Sequence, residues 1–532
     1  MMTGEEVLKI RDQLKTLRAP MESHWDQLAE IFTPFQRINP EMPAVLDADA
    51  MFDSTPRQAA HTFANGLCSL ITPREEQWFE FSPPKELEKD DEAIRWYREC
   101  SETALGYIES SNFYEEMQQA LFESPVFGTC SLYCGDLDER GELCFLNQTI
   151  GTYYIAEDAK GRVNVHVREL QYTAQQAADE FGKDALPRKI AEKAGRPEGL
   201  VEKFEFVHLV CKRHDPAPRD SSEAVKRPWV DIVVACEGKS VVRRSGLNDF
   251  SFACHRFSKH ANCVWGFGPG SMAKGDSRQL SFLNELADLG TEKSVFPPIL
   301  APASMEGEIA QGALEVTYFD ENSAGAAGNI RALHEQGRYD ILKDRLQDKK
   351  TMVQEAFFLD LFKMFSMRAR DRSPLTATEA NYIAGEKLTQ FSPVYGRIMN
   401  EMIDVVLARV FSVLARAGKF SPAPAAVEAA LEGGRIRYKN KIALAMQAKE
   451  NGALTELFQV LMPVLQSFPQ LGQVLFNAYK PEVLIRDLIR NSGQPERWIA
   501  SLKEMQKKTE AQAQAMLAQA EAQAQPQMVR GA

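Results

Sequence analysis

The stretch best equipped for chemistry is "GSMAKGDS", residues 270–277. It fits the phosphate-loop spacing G-x-x-x-x-G-K-[ST], except that Asp276 stands where the lysine belongs. A carboxylate at that point repels the phosphates that the lysine has to neutralise. "VTYFDE", residues 316–321, imitates the apolar strand ending in acid that holds magnesium, but it lies about 40 residues further on as an isolated strand. The bland alternative is a glycine-rich start to a helix. "CHRFSKHANC", residues 254–263, gathers Cys254, His255, His260 and Cys263. All are zinc-ligating types, yet the spacing matches no finger or knuckle, and reduced cysteine commonly serves as a small buried hydrophobe. Cys130 and Cys134 read the same way. There is no G-x-S-x-G elbow and no H-E-x-x-H pair. No catalytic residue, no metal and no cofactor are expected.

A third constellation is basic. In "RARDRSPLTATEA", residues 368–380, Arg368, Arg370 and Arg372 precede Thr376 and Glu379. The threonine and glutamate match a capping box, in which each side chain takes one unpaired N–H of the first helical turn. The arginines therefore sit at a joint just before a helix. Three guanidiniums there form either a solvated surface loop or a set of transient phosphate contacts that position nucleic acid without reading its sequence.

The elements that must hold these residues follow from pattern and punctuation. Trp25, Leu28, Ile31 and Phe32 fall three or four apart, so a helix spans 21–32 and stops at Pro34. Ser54 as cap with Pro56 just inside starts a helix over 54–72. Residues 85–123 also read as helical. Between about 126 and 256, short Val/Tyr/Phe/Cys-rich runs make a β-rich section, interrupted by one helix over 173–182 that closes on Gly182. Leu280, Leu283, Leu286 and Leu289 mark a helix that ends at Pro297 and Pro298. A short section with one strand candidate, 314–319, follows. Another helix begins at Tyr339, runs about 27 residues and stops at the arginines. The helix capped by Thr376 and Glu379 continues to about Gly418, with a kink expected at Pro393. Residues 430–505 read as helical, and the Ala/Gln-rich end lacks an apolar stripe.

The 532 residues give room for three or four domains' worth of core. Apolar residues make up 44% and charged residues 26%, an ordinary globular balance. The formal charge is −12, so the chain as a whole is no adhesive for phosphate backbones, and any nucleic-acid contact has to be local. Nine scattered cysteines argue for reduced thiols and no disulfide. The opening residues lack the apolar stretch of a signal peptide, and "LTELFQVLMPVLQSF", 454–468, is too short to span a bilayer. No membrane segment is expected.

Read in succession, "HWDQLAEIFTP", "FDSTPRQAAHTFANGLCSLITPREEQWFEF", "FGTCSLY" (127–133), "GFGPGSMAKGDSRQLSFLNEL" (266–286), "LTATEA" (375–380), "SPVYGRIMNEMIDVVLARVF" and "NKIALAMQAKE" (440–450) resemble the portal, or head-to-tail connecting, proteins of short-tailed bacteriophages. Trp25, Pro34, the "DST" at 53–55, the "NGL" at 65–67 and the "TP" and "WF" at 72–73 and 78–79 carry the opening of it. The resemblance covers nearly the whole chain in order. It implies a helix-dominated α+β fold assembling as a ring, usually of twelve subunits, at one capsid vertex of the virion, with double-stranded DNA passing through the middle.

Laid on this chain, the resemblance implies a wing over 1–265, a first stem helix over 266–296, a clip over 297–338 and a second stem helix over 339–366. A tunnel loop over 367–375, a kinked wing helix and return over 376–430, a crown over 431–505 and an Ala/Gln-rich tail over 506–532 complete it. Arg368, Arg370 and Arg372 then face the channel. The implied partners are further copies of the chain, DNA, the terminase large subunit that carries the ATPase, major capsid and scaffolding proteins, and tail adaptor proteins. Assembly would take place in the host cytoplasm. An acidic ring with sparse basic contacts suits passage, because a uniformly basic channel would hold DNA through counterion release. The rival readings are an ATP-driven DNA translocase and a capsid or scaffold component without a channel.

Overall fold

The computed structural model describes residues 2–34, 38, 53–88, 90–214, 226–295, 299–300, 331–332, 339–360, 362, 391–430, 434–440 and 442. Helix α1 covers Gly4–Phe32, starting well before the periodic stretch at 21–32. Its start is set by a capping box: Thr3 N–H donates to Glu6 Oε2 at 2.7 Å, and Glu6 N–H to Thr3 Oγ1 at 3.3 Å. Gly4 is required there, because a Cβ would stand 2.1 Å from the Lys239 carbonyl. Helix α2 (Thr55–Ile71) lies where expected, but Ser54 does not cap it. Asp53 does that work instead, its Oδ1 accepting from Thr55 N–H at 2.6 Å, while Ser54 Oγ accepts from the Gln58 side chain at 2.9 Å.

After strand β1 (Phe79–Ser82), helices α3 (Asp91–Glu109) and α4 (Phe113–Phe127) lead into the β-rich section. Strands β2 (Thr129–Leu137), β3 (Leu143–Gln148), β4 (Tyr153–Glu157) and β5 (Val163–Thr173) come first. Helices α5 (Ala174–Phe181) and α6 (Arg188–Lys193) follow, then β6 (Lys203–Lys212), β7 (Trp229–Ala235), β8 (Ser240–Leu247) and β9 (Phe252–Arg256). Two antiparallel sheets result, with orders β3-β2-β9 and β4-β5-β6-β7-β8. The β2–β3 and β4–β5 hairpins turn identically. Asp138 and Asp158 each accept two backbone N–H groups on one carboxylate oxygen, and Gly141 and Gly161 take φ of +79° and +76°. Helix α5 has the expected extent, capped by Thr173 with Gln176 and ended at Gly182, φ +81°.

Side chains cover three of the four edges of these two sheets, those of β3, β4 and β9. Asn112 brackets Phe145 of β3, donating to its carbonyl at 2.7 Å and accepting from its N–H at 2.9 Å; Glu116 takes the N–H of Asn147. Arg18 of α1 donates to the carbonyls of Gly151 and Tyr153 at the β4 edge. Glu401 accepts from Arg256 N–H at the β9 edge. Uncovered backbone groups would otherwise invite pairing with another strand.

The main core joins α1, α2, α4, the three-stranded sheet and the later helices around Trp25, Phe63, Trp78 and Phe127. Two smaller cores lie on the faces of the five-stranded sheet, one under α5 and α6 and one under the start of α1. Within the sheet, Arg168 Nε donates to His208 Nδ1 at 2.8 Å, so His208 Nε2–H donates to Asp231 at 2.7 Å. Burial, with Arg168 adding to it, pushes His208 down to about 4 and keeps it neutral.

Helix α7 (Pro269–Val295) then leaves this body and α8 (Tyr339–Ala356) returns to it, with a two-residue ladder between β10 (Ile299–Leu300) and β11 (Arg331–Ala332) at the far end. Continuous α-geometry breaks after Ala356, where Phe358 takes φ +52°, and helical residues resume at 359–360 and 362; the rest of the stretch expected to 366 lies outside the described residues. Residues 391–398 are helical, Met399–Ile403 form a π turn, and α9 (Asp404–Arg416) follows. Gly418, φ +64°, closes α9 near the expected end: Lys419 N–H bonds Leu414 O and Gly418 N–H bonds Ala415 O, a Schellman pair. After the short α10 (Ala425–Glu428), β12 (Arg435–Tyr438) pairs with β1 and ties the returning chain to the N-terminal body.

Candidate functional site

The junction between body and two-helix arm begins with three glycines. A Cβ on Gly266, Gly268 or Gly270 would stand 2.2 to 2.4 Å from the carbonyls of Gly128, Pro125 and Val126. The glycine-rich stretch thus seats the start of α7 against the end of α4 at a distance no side chain allows. Backbone, not phosphate, occupies the cradle.

The neighbouring polar groups are spoken for. Lys274 Nζ donates to His24 Nδ1 at 3.2 Å and to Gln27 Oε1 at 3.1 Å. With Nδ1 accepting, neutral His24 carries its proton on Nε2 and donates it to Ser271 Oγ at 2.9 Å. Burial and the Lys274 charge both lower the His24 pKa and hold this state. The serine hydroxyl receives a hydrogen bond instead of losing a proton, the reverse of what an activated nucleophile needs. Asp276 forms an ion pair with Lys349 of α8 at 2.7 Å. Asp53 accepts from Asn284 of α7 at 2.6 Å and pairs with Lys350 of α8 at 3.2 Å. Burial opposes its charge, but the Thr55 and Lys350 contacts outweigh that and keep its carboxyl below the ordinary range.

Beyond this clasp the arm changes character. Ala273, Ser277 and Leu280 are buried, whereas no described side chain of α7 from 281 onward is, and α8 first buries a residue at Val353. The two helices pack against each other along the arm. Phe282 (58% exposed), Leu286, Leu289 and Val295 (63%) stay open to solvent, with Ile341 (50%) and Met352 on α8. A stripe at 282, 286 and 289 is helical spacing for one apolar face.

At the body end, Phe63 of α2 collects aromatic partners. Its ring lies 5.4 Å from Phe362, 6.3 Å from Phe357 and 6.3 Å from Phe391. Phe362 and Phe391 border the 28 residues 363–390, so that stretch leaves from and returns to one side chain. Gly66 leaves room for Phe362, since a Cβ there would meet its ring at 2.3 Å.

Arg368, Arg370, Arg372, Thr376 and Glu379 lie outside the described residues. Pro393 lies within helical residues 391–398, and the residues before 391 that would show a kink lie outside the described set. Within the described residues, the departure from α-geometry comes at Met399–Ile403. The strand candidate 314–319 and the phosphate-loop companion at 316–321 are outside the description as well.

The cysteine and histidine constellation is dispersed by strand geometry. Cys254 and His255 are neighbours on β9 and point to opposite faces; Cys254 shares a hydrogen bond with Ser131, and burial pushes its thiol up to about 12. Cys130 and Cys134 are buried along β2, with burial raising both thiols. Among the described residues no three His, Cys, Asp or Glu gather as metal ligands, and no helix is long and apolar enough to cross a membrane. The nine cysteines are free thiols.

Sequence patterns pointed to the glycines, Asp276 and the bounds of α7. They missed Phe63 as the common foothold, and they missed the pair Arg256 and Glu401 beside the π turn. One signal for the latter was present: Phe391, Tyr395 and Ile398 step by four and three, Ile403, Leu407, Val410 and Leu414 by four, three and four, but Ile398 to Ile403 is five.

Comparison with known proteins draws these features together. The chain is 26% identical over 499 residues to the portal protein of Salmonella phage epsilon15, covering 90% of this chain and 84% of that protein. It is 26% identical over 425 residues to the probable portal protein of Bordetella phage BPP-1, covering 77% and 74%. The family model described as bacteriophage head to tail connecting protein matches residues 4–500. An acidic, helix-rich chain whose arm leaves its body unburied, and which matches that model over nearly its whole length, belongs to the bacteriophage head to tail connecting protein family.

Proposed function

We propose that this chain is a portal protein that assembles as a ring of twelve copies at one capsid vertex, serves as the conduit for double-stranded DNA during packaging and ejection, and offers a platform to a terminase large subunit and then to tail adaptor proteins. The observation that carries the ring is the two-helix arm. Among the described residues its distal half has no buried side chain, and Phe282, Leu286, Leu289, Val295 and Ile341 are exposed. A pair of helices leaves its outward faces open, and neighbouring copies would supply the missing walls.

In this reading α7 and α8 are the stem helices, 297–338 the clip between them, 1–265 the wing, 376–430 the wing helix with its return, and 431–505 the crown. Arg368, Arg370 and Arg372 belong to a tunnel loop over 367–375 and meet passing phosphates. The shared foothold of 363–390 on Phe63 supports a projecting segment with a fixed base. The chain itself performs no catalysis. Asp276 engaged with Lys349, and Ser271 accepting from His24, speak against a nucleotide site and a serine nucleophile. Major capsid and scaffolding proteins are the further partners, in the virion vertex and in the assembling procapsid.

Electron microscopy of the purified protein is the direct test, and images of discrete rings with a central hole are the expected result. Monomers or sheets without a hole would defeat the reading. Replacing Arg368, Arg370 and Arg372 together by alanine is expected to leave rings and procapsids intact and to lower packaged DNA or its retention. Normal yields of stable full heads would remove the channel role of the arginines and leave the ring standing.

A further inference from the structure

Helical residues 391–398 and α9 are joined by five residues, Met399–Ile403, in π geometry. The turn exists because the buried stripe skips. Phe391, Tyr395 and Ile398 face the core, and the fully buried Ile403, Leu407, Val410 and Leu414 continue that stripe only after one extra residue. A π turn absorbs such an extra residue. A second stripe is also in place, however. Met402, Val406 and Val413 lie 4, 8 and 15 residues beyond Ile398, where an uninterrupted α-helix would put its apolar face, and all three are buried as well, with the buried Arg409, paired with Asp136 at 2.9 Å, on the same line. The segment therefore has two packable registers, differing by one residue and by about 100° of rotation.

One side chain at the turn chooses between them. Glu401 Oε1 accepts from Arg256 Nη2 at 2.8 Å, while Oε2 accepts from Arg256 N–H at 2.9 Å and from Nε at 3.4 Å. Arg256 is only 2% exposed and is held on its other side by Glu157 at 2.8 Å and by the Gly161 carbonyl at 2.8 Å, with Lys259 completing the group on Glu157 at 2.6 Å. The guanidinium is thus fixed to the β4–β5 hairpin, and the carboxylate fixes the π turn to the guanidinium. The latched register is not fully satisfied: buried His255, with Nδ1 4.0 Å from Glu401, has neither ring nitrogen hydrogen-bonded. An unmet buried polar group weighs against the register that leaves it so.

We infer that Glu401 is a positioning residue. Its hold on Arg256 keeps the helix in the register with the extra residue and so sets the rotation of residues 391–398, including the foothold Phe391. Releasing it lets Met399–Ile403 relax to α-geometry and turns Phe391 away from Phe63. The geometry stands alone; its use in DNA retention rests on the conduit reading above.

The test is a cryo-electron microscopy structure of full-length Glu401→Gln and Glu401→Leu. Glu401→Gln preserves volume and leaves Arg256 with Glu157, and Arg256→Lys serves as a second way to open the latch should the glutamate variants not fold. The expected result is a continuous α-helix through 399–403 with 391–398 rotated by about 100° relative to β9, together with at least a tenfold loss of retained DNA in particles that assemble in normal number. An intact π turn with Phe391 still on Phe63 in these variants would overturn the inference. A rotated helix with unchanged DNA retention would confirm the latch and count against the conduit role, so the two failures are told apart.

Discussion

The β-rich body and the two-helix arm are built on opposite economies of surface. The body finishes itself: Asn112, Glu116, Arg18 and Glu401 cover the edges of β3, β4 and β9, and Trp25, Phe63, Trp78 and Phe127 are shut away in its core. The arm is left open, with Phe282 and Val295 more than half exposed and no buried residue from 281 outward on α7. A body with covered edges is a poor site for strand addition between copies. In the ring proposed above, association would fall to the helical surface that the chain leaves open.

The largest expected effect comes from attacking that contrast directly. Phe282→Asp combined with Leu286→Asp is expected to abolish rings completely, because both charges would be trapped between copies. The isolated chain should keep its stability to within about 0.5 kcal/mol, as exposed substitutions do. Size-exclusion chromatography with light scattering, beside a denaturant titration, reads both. An equally deep loss of monomer stability would show that the arm is completed within one chain.

Next comes the body. Phe63→Ala removes the ring on which Phe257, Phe357, Phe362 and Phe391 converge. A loss of about 3 to 5 kcal/mol is expected in urea unfolding. A loss below 1 kcal/mol would mean that the two footholds hold each other without it.

A pH experiment sharpens the account of the body's interior. Glu123 of α4 is fully buried, accepting from Ile150 N–H at 3.0 Å and from the Asn147 amide at 3.2 Å. Burial pushes its carboxyl up to about 8, against an ordinary 4.5. The folded state therefore holds a proton that the unfolded state releases. Its stabilising effect is complete below about pH 4.5 and is lost as pH rises to about 8, a change of a few kcal/mol, roughly 1.4 per pKa unit. Glu123→Gln should flatten the stability profile across that window and be the more stable form at pH 8. Parallel profiles for the two proteins would contradict a protonated Glu123.

The smallest effect belongs to the clasp. Lys349→Met should cost about 1 kcal/mol or less, because the Asp276 partner is one-third exposed, and it should leave ring formation unchanged. A loss of rings on this single change would move the critical contact from the apolar stripe to the clasp.

Much of this was readable in the chain. The bounds of α7 follow from its leucines and from Pro297 and Pro298, and α5 from Thr173, Gln176 and Gly182, because caps and breakers act over three or four residues. The cap of α2 was misplaced by one residue, since Asp53 and Ser54 are both good caps and only tertiary contacts to Asn284 and Lys350 decide between them. The opening fifteen residues mix acidic, basic and apolar residues at helical spacing, but their half of α1 lies on the five-stranded sheet and is not strongly apolar, so its join to the stretch at 21–32 and its capping box at Thr3 and Glu6 went unread. Phe63 looked like one core aromatic among many, because a foothold is defined by residues some 300 positions away. The glycine-rich stretch was readable as a helix entry, because Asp276 stands where a phosphate loop needs its lysine, and a helix begins at Pro269; what sequence did not show is that Gly266, Gly268 and Gly270 are required by the carbonyls at the end of α4.

The shared foothold of residues 363–390 has a bearing on how related chains can diverge. Two parts of the chain some 300 positions from Phe63 rest on its one ring, so no one of these aromatics can change size without a matching change in the others. Across a lineage Gly66, Phe63, Phe362 and Phe391 should therefore change only in concert, a larger ring at one position being answered by a smaller one at another.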